Sequence, residues 1–421
     1  MALDILICGA GITGPALAAF LAKSNLPFRI TIVERTATLR TAGQQVDIRA
    51  QGLSVVRRAG LLDSIKAKCV SEAGVVFVDS EGREQARFGM NGSGRGMQSF
   101  TSQYEILRGD LVKMFYDASL QAVQNGGAFI EYKFGTWITD ITQNSAGGVE
   151  VALSDGKTGR FDLLVAADGQ RSRTRRMVLG EEEDEKIFDY KGLCIAYYSV
   201  PRREDDGDYA RIYHVPGQKA VGTRSAANKP TTQAYMGVLG DNQHLRDSFR
   251  LSADRQKTIW DAEFRGSGWQ TDRLLDEMKD ASDFYALEIA QVKPSAFYQG
   301  RVAFVGDAGY CPSPITGMGT TAGLVGAYVL AGELARHGRD VGTALQNYNA
   351  VMRPFVDEIH KVPINLNLLY HQTPTKIKMF HMGMWAMSSL KIDQLITRFK
   401  PENKGGWEVP EYAELGMNGV W

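Results

Sequence analysis

The chain has 421 residues, 44% of them hydrophobic and 23% charged, an ordinary globular composition with material for a large core. Its 48 basic side chains balance 48 acidic ones, so neither nucleic acid nor an acidic membrane surface is expected as a bulk electrostatic partner. No run approaches the ~18 apolar residues of a membrane span, which argues against stable membrane insertion.

In chain order, residues 3–35 read as strand, glycine turn, helix and strand, a βαβ unit. Pro15 sits near the first turn of the helix, where its missing N–H costs nothing, and Ser24-Asn25 ends it ahead of Pro27. Ile5-Leu-Ile7 is too short for a signal peptide and has no basic flank. The dispersed Cys8, Cys69, Cys194 and Cys311 form no C-x-x-C, so reduced thiols and a cytoplasmic location are expected. Helices are expected over 50–59 and 109–125, and strands near 75–78, 128–141, 149–153 and 161–167. The acidic run at 181–186 and the charged run at 202–208 read as solvated loops. Aromatic-rich strands are expected at 193–200, 209–215, 219–225 and 233–239, as an antiparallel sheet inserted from about 181 to 285. A helix at 320–336 returns to the first domain, and the Met- and Lys-rich tail at 360–398 reads as helical.

Two stretches carry chemistry. Gly9-Ala-Gly11-Ile12-Thr13-Gly14 fits G-x-G-x-x-G, follows a strand and opens a helix. An acid, Glu34, ends the next strand, twenty residues past Gly14. Glycines there let backbone N–H groups approach a pyrophosphate, and the helix N-terminus favours its charge. Glu34 would accept from ribose hydroxyls and repel a 2′-phosphate, which points to FAD or NAD. The second stretch is the strand 302–305 ending in Gly306-Asp307, then Gly317-Met318-Gly319-Thr320 opening a helix of small residues. Asp307 could grip a ribityl chain, and the helix N-terminus could favour negative charge on a reduced flavin ring. Two turns would thus divide one long cofactor. Asp307 by itself could also be an ordinary turn aspartate.

The ordered set Gly9–Gly14, Asp168-Gly169, Gly306-Asp307 and Gly317-x-Gly319 resembles the single-component FAD-dependent aromatic monooxygenases of the p-hydroxybenzoate hydroxylase fold. The tetracycline-inactivating and secondary-metabolite members are the most similar in pattern. The resemblance covers about residues 3–180 and 285–335. It implies an α/β fold: a Rossmann-like FAD-binding domain (1–78, 100–180 and 286–360), an inserted, mostly antiparallel β-sheet substrate domain (79–99 and 181–285) and a C-terminal helical region (361–421). Glu34-Arg35 match the pair at the adenosine end, Asp47 an aspartate near the flavin, and Arg108 an arginine on the ribityl–phosphate region. Asp168 opens Asp168-Gly-x-x-Ser172-x-x-Arg175, a motif associated with FAD and the reduced nicotinamide. It also reads as a turn whose Ser172 caps a helix. Pro314 keeps the family's proline beside the flavin, while Gly309-Tyr310 and Thr321 depart from the usual Ala-His and Asn.

The resemblance implies that NADPH or NADH reduces FAD and that O2 then yields a C4a-hydroperoxyflavin that oxygenates the substrate. Arg211, Tyr213, Arg224 and Tyr235 of the inserted sheet are candidate substrate contacts, since an arginine or tyrosine could hold a phenolate or enolate. Exposed strand residues or core aromatics would look the same. An aromatic-lined pocket suggests a hydrophobic ring compound, aromatic, polyketide or alkaloid, to be hydroxylated or epoxidised. Gly92-Ser-Gly-Arg-Gly96 lacks the strand and acid of a second nicotinamide fingerprint, no metal spacing occurs, and no Trp-x-Trp supports a halogenase. A flavin-dependent oxidase or dehydrogenase, a non-enzymatic FAD-binding redox sensor, and a membrane epoxidase anchored by residues 376–385 are the alternative readings.

Overall fold

The structure, a computed structural model, describes all residues except 1, 25, 42, 90–103, 125–128, 145–146, 227, 363–364, 392–405 and 418–421. The glycine loop at 92–96 and the end of the C-terminal tail lie outside the described residues.

The first sheet has six strands, in the order Tyr298–Gln299, Val302–Phe304, Leu163–Ala166, Leu3–Cys8, Phe28–Glu34 and Phe129–Phe134. All neighbours run parallel except the edge strand Tyr298–Gln299. The central strand Leu3–Cys8 alternates between two cores, as a strand buried on both faces must. Ile5 and Ile7 face the helices Thr13–Lys23, Arg108–Gln124, Gly319–His337 and Val341–Ile359. Leu6 faces a small antiparallel sheet (Ile138–Asn144, Gly148–Leu153, Thr158–Phe161) through Val149, Val151 and Leu153. Because the chain's second strand flanks the first on one side and a much later strand flanks it on the other, a crevice opens at their carboxyl ends.

The second sheet has seven strands, in the order Tyr285–Val292, Phe188–Pro201, Thr231–Leu239, Lys219–Arg224, Tyr209–Val215, Gly74–Val78 and Glu84–Gly89. Only Tyr209–Val215 and Gly74–Val78 pair in parallel. Strands Gly74–Val78 and Tyr285–Val292, which the sequence reading gave to the cofactor domain, thus hydrogen-bond into the inserted sheet. One face packs Tyr198, Tyr213, Val221 and Met236 on Trp260, Phe264, Leu274 and Leu275 of the covering helices. The other face turns toward the first domain and the C-terminal segment.

The expected acidic loop is instead a helix, Glu181–Lys186. Gly180 turns the chain at φ +85°, the acids fill the first turn where the helix dipole favours them, and Lys186 pairs with Glu182 and Glu183. Asp184 is buried and holds Arg175 at 2.6 Å. The run 202–208 likewise contains a buried acid: Asp206 pairs with Arg273 at 2.7 Å and accepts from Thr232 Oγ1 at 2.7 Å. In the tail, the helix is confined to Pro374–Ser389 among the described residues, preceded by a single 3-10 turn, Leu366–Leu368.

Candidate active site

The first turn is built for close approach. Gly9 sits at φ +111°, and a Cβ there would lie 2.5 Å from the Ala167 carbonyl oxygen. A Cβ on Gly14 would lie 2.0 Å from the Gly9 carbonyl oxygen. The first helical bond is Ala16 N–H to Ile12 O, so the amides of Gly11, Ile12 and Thr13 have no helical acceptor and lie at the positive end of the helix. Glu34 closes the turn: its carboxylate accepts from Ala10 N–H and from the Thr36 N–H, both at 2.9 Å, and from the Thr36 hydroxyl. Oε2, which accepts only from Ala10 N–H, keeps a lone pair for a further donor. Arg35 is exposed beside it.

The second turn meets the first at one side chain. A Cβ on either Gly306 or Gly323 would sit 2.6 Å from the Thr13 hydroxyl oxygen. Asp307 starts a one-turn helix and faces both the Cys311 thiol and the amino end of Gly319–His337. Its carboxylate is solvent-accessible, yet it lies deep in the crevice, and desolvation raises its pKa despite the Cys311 and Arg108 contacts. In Gly319–His337 the first helical bond is Ala322 N–H to Met318 O, so the amides of Gly319, Thr320 and Thr321 have no helical acceptor. Arg108 lies between the turns. Its Nη2 is 3.3 Å from where a Cβ would stand on Gly11, its backbone N–H binds Gln44 O, and burial lowers its pKa with Asp307 and Glu34 opposing. Two helix amino ends, a desolvated guanidinium and a glycine turn fit a pyrophosphate flanked by polyol.

Arg49 escapes the sequence reading, which marks Thr321 only as a departure and gives it no role. The Arg49 guanidinium is clamped on Asp47 Oδ2 and comes 3.1 Å from the Cβ position of Gly317, which is left-handed at φ +65°. The Thr321 hydroxyl accepts from Arg49 N–H and donates to Arg49 O, so it ties this arginine to the helix below. The other departure, Gly309-Tyr310, is core packing. The Tyr310 hydroxyl meets Tyr348 at 2.9 Å in space left by Gly326, where a Cβ would stand 1.6 Å from it. Asp47 Oδ1 is buried without a partner among the described residues.

Asp168 is committed to its own turn. It accepts from Ser172, Thr174 N–H and Thr174 Oγ1, and Ser172 caps Arg173–Leu179 by accepting from Arg175 N–H. Arg175 is fully buried between Asp184, Gln170 O and Ala308 O.

Strand alternation sorts the four candidate substrate contacts. Arg211 and Tyr213 share the helix-covered face of the second sheet, turned away from the crevice, and Tyr213 donates to Ser267 O at 2.6 Å. Arg224 and Tyr235 lie on the crevice face. Arg224, however, is engaged by Glu72 and Glu105, both buried. Tyr235 stands in a ring cluster with Tyr197, at 5.2 Å, which stacks on Tyr285 at 5.0 Å. Finding Tyr197 and Tyr285 requires the register across three strands, which no local pattern contains. Tyr235 donates to Gln233, whose side chain reaches Gln45 N–H and Gly43 O of the first domain. A narrow cleft with free space of about 10 Å³, room for little more than a water molecule, is lined by Gln44, Tyr197, Gln233, Tyr235, Asp283 and Tyr285. Beside it, Ile195, Leu287 and Leu239 pack with Tyr370 and with Ile315 of the turn Pro314–Thr316, in which Pro314 is exposed.

Residues 2–361 match the FAD binding domain family. The chain is an FAD-dependent monooxygenase of that family. It is 39% identical to the FAD-dependent monooxygenase asL6 of Sarocladium schorii, over 99% of both chains. It is 36% identical to the flavin-dependent monooxygenase eupH of a Phoma species, over 84% of each. Among solved structures it resembles the tetracycline destructase Tet(51), with a TM-score of 0.79 and 29% identity over 98% of this chain and 100% of that one. FAD is its cofactor, and NAD(P)H is the co-substrate typical of the family.

Proposed function

We propose that this monooxygenase oxygenates a largely apolar, ring-containing small molecule held between the crevice face of the second sheet and the turn Pro314–Thr316. The observation that carries the reading is the Tyr197–Tyr235–Tyr285 ring cluster beside Ile195, Leu287 and Ile315. Such a wall offers stacking area and few charges. The name of the tetracycline destructases specifies a fused-ring target, which agrees with it.

Bound FAD supplies the passage of electrons from NAD(P)H to O2 and the transfer of oxygen. The chain's residues do the rest. The amides of Gly11, Ile12 and Thr13 with Arg108 hold the pyrophosphate, and Glu34 receives the ribose hydroxyls. Asp307 accepts from the ribityl chain, and the amides of Gly319 and Thr320 favour negative charge on the ring. Arg49, held by Asp47 and Thr321, presents a cation at Gly317. Tyr370, whose hydroxyl fills the space left by Gly237, and Leu366 help to cover the crevice and exclude water, which protects oxygen transfer. Four free cysteines suit a reducing, cytoplasmic setting.

The test follows NADPH loss, O2 uptake and H2O2 release with a panel of phenols and polycyclic ketones. A matching substrate should speed NADPH oxidation and lower the peroxide fraction as the filled crevice excludes water. One peroxide per NADPH with every compound, and no oxygenated product, would give the protein to an oxidase or sensor role.

A further inference from the structure

The helix Pro374–Ser389 has an outer face that neither the cofactor nor the ring crevice uses. Its inner face is settled: Ile377 and His381 are buried, and Phe380, Met384 and Met387 pack on Val75, Phe77, Ala86 and Phe88. On the outside, Met379, Met382 and Trp385 are 62%, 65% and 59% exposed, and three-residue spacing puts them in one stripe. Leu390, just past the helix, is 71% exposed and Leu368, just before it, 63%. These are five of the nine large apolar side chains exposed among the described residues, so more than half of those exposed there fall within residues 368–390.

Charge separates the possible occupants. Lys376, Lys378 and Lys391 are exposed around the stripe, and residues 373–391 contain no aspartate or glutamate. None of the three lysines has an acidic partner among the described residues. A second copy docking through the same face would set these lysines against their own equivalents. An anionic surface would meet them with opposite charge. The helix has 16 residues, and no helix among the described residues is long and apolar enough to cross a membrane. An apolar centre of Met, Trp and Leu inside a basic rim, on a short helix, is the composition of a segment that lies in the headgroup region.

We infer that the outer face of Pro374–Ser389 rests on an anionic lipid surface. The balanced overall charge hides this, because the lysines are local and their compensating acids lie elsewhere. The contact also sets the segment that carries Tyr370 and Leu366, and with it one wall of the crevice, next to the phase in which apolar ring compounds dissolve. That supply route rests on the substrate class proposed above, whereas lipid binding stands without it.

The test is co-sedimentation of the full, FAD-loaded chain with phosphatidylcholine vesicles, with and without phosphatidylserine. The expected result is binding that needs phosphatidylserine, weakens with salt, and shifts tryptophan emission to the blue in the parent but not in Trp385→Phe. Charge reversal at Lys376 and Lys378 should weaken binding by roughly fivefold or more per lysine. Met382→Glu with Trp385→Glu should abolish it while FAD content stays that of the parent. No sedimentation with phosphatidylserine vesicles, or equal binding by these variants, overturns the inference. So does a dimer that Met382→Glu dissolves in a protein that ignores vesicles.

Discussion

Arg224 touches two carboxylates, Glu72 and Glu105, on the crevice face of the second sheet; both acids are buried and Arg224 is partly so. Desolvation is the largest influence on Glu105. Arg224 opposes it, Asp47 and Glu72 add to it, and the pKa is raised to about 7. A folded-state pKa above the unfolded 4.5 means that the contribution of Glu105 to stability is complete below pH 4.5 and is lost as pH rises through 7. Arg224→Met would leave buried acids without their cation. It should cost about 3–5 kcal/mol in denaturant unfolding, and adding Glu72→Gln and Glu105→Gln should recover most of that loss. An arginine whose job was to bind substrate would instead raise KM and leave unfolding unchanged. The sequence marked Arg224 as a charged residue on an aromatic strand. Its partners come from residues 72 and 105, more than a hundred positions away, and nothing local announces them.

Among the elements, the acidic helix Glu181–Lys186 shows how an ion pair reaches the cofactor crevice. Asp184 holds Arg175 at 2.6 Å, and Arg175 Nη1 donates to Ala308 O, the residue after Asp307. Breaking a buried pair by removing one partner leaves a bare charge. Asp184→Ala should therefore lower stability by about 3–5 kcal/mol and also reduce the FAD retained on purification, because Arg175 fixes the short helix that carries Asp307. Asp184→Glu should keep part of both. A loss of stability with unchanged FAD content would disconnect this helix from the crevice. In the sequence the run reads as a solvated loop because six charged residues in a row carry no apolar period. It folds as a helix because Gly180, the dipole and Arg175, nine residues before Asp184 on the preceding helix, act together.

For the whole molecule, acid stability should turn on three histidines that join the C-terminal segment to the second sheet. His214 lies 3.2 Å from His381 and stacks on Phe77, and His371 is tilted against it with rings 5.7 Å apart. Burial chiefly, then His381 and His371, pushes the pKa of His214 down to about 3, with a Leu369 backbone contact opposing. His381 also faces Asp79, and His371 faces Lys376. With the folded value below the unfolded 6.5, the unfolded chain takes the proton first, so stability falls as pH drops from 6.5 toward 3. The slope from this group is about 1.4 kcal/mol per pH unit. Melting curves from pH 7.5 to 5 should show a steeper acid loss in the parent than in His214→Gln. Equal slopes would mean that the ring titrates normally.

The sequence alone determined the two glycine turns. Glycine spacing, the acid ending the second strand and the later Gly-Asp are local, because backbone approach to a pyrophosphate is a matter of φ and of absent Cβ atoms at neighbouring positions. It also determined most strands and long helices: Ala50–Arg58, Arg108–Gln124 and Gly319–His337 fall within a residue or so of their expected bounds. Only the tertiary structure decided which residues face the crevice. Alternation shows that Arg211 and Tyr213 share one face of their strand, but not which face is covered by helices. Thr13 between Gly306 and Gly323, Arg49 on Gly317, and the row Tyr235–Tyr197–Tyr285 all depend on register and on contacts across long stretches of chain. Such contacts are selected by the packing of whole elements, so no short window of sequence records them.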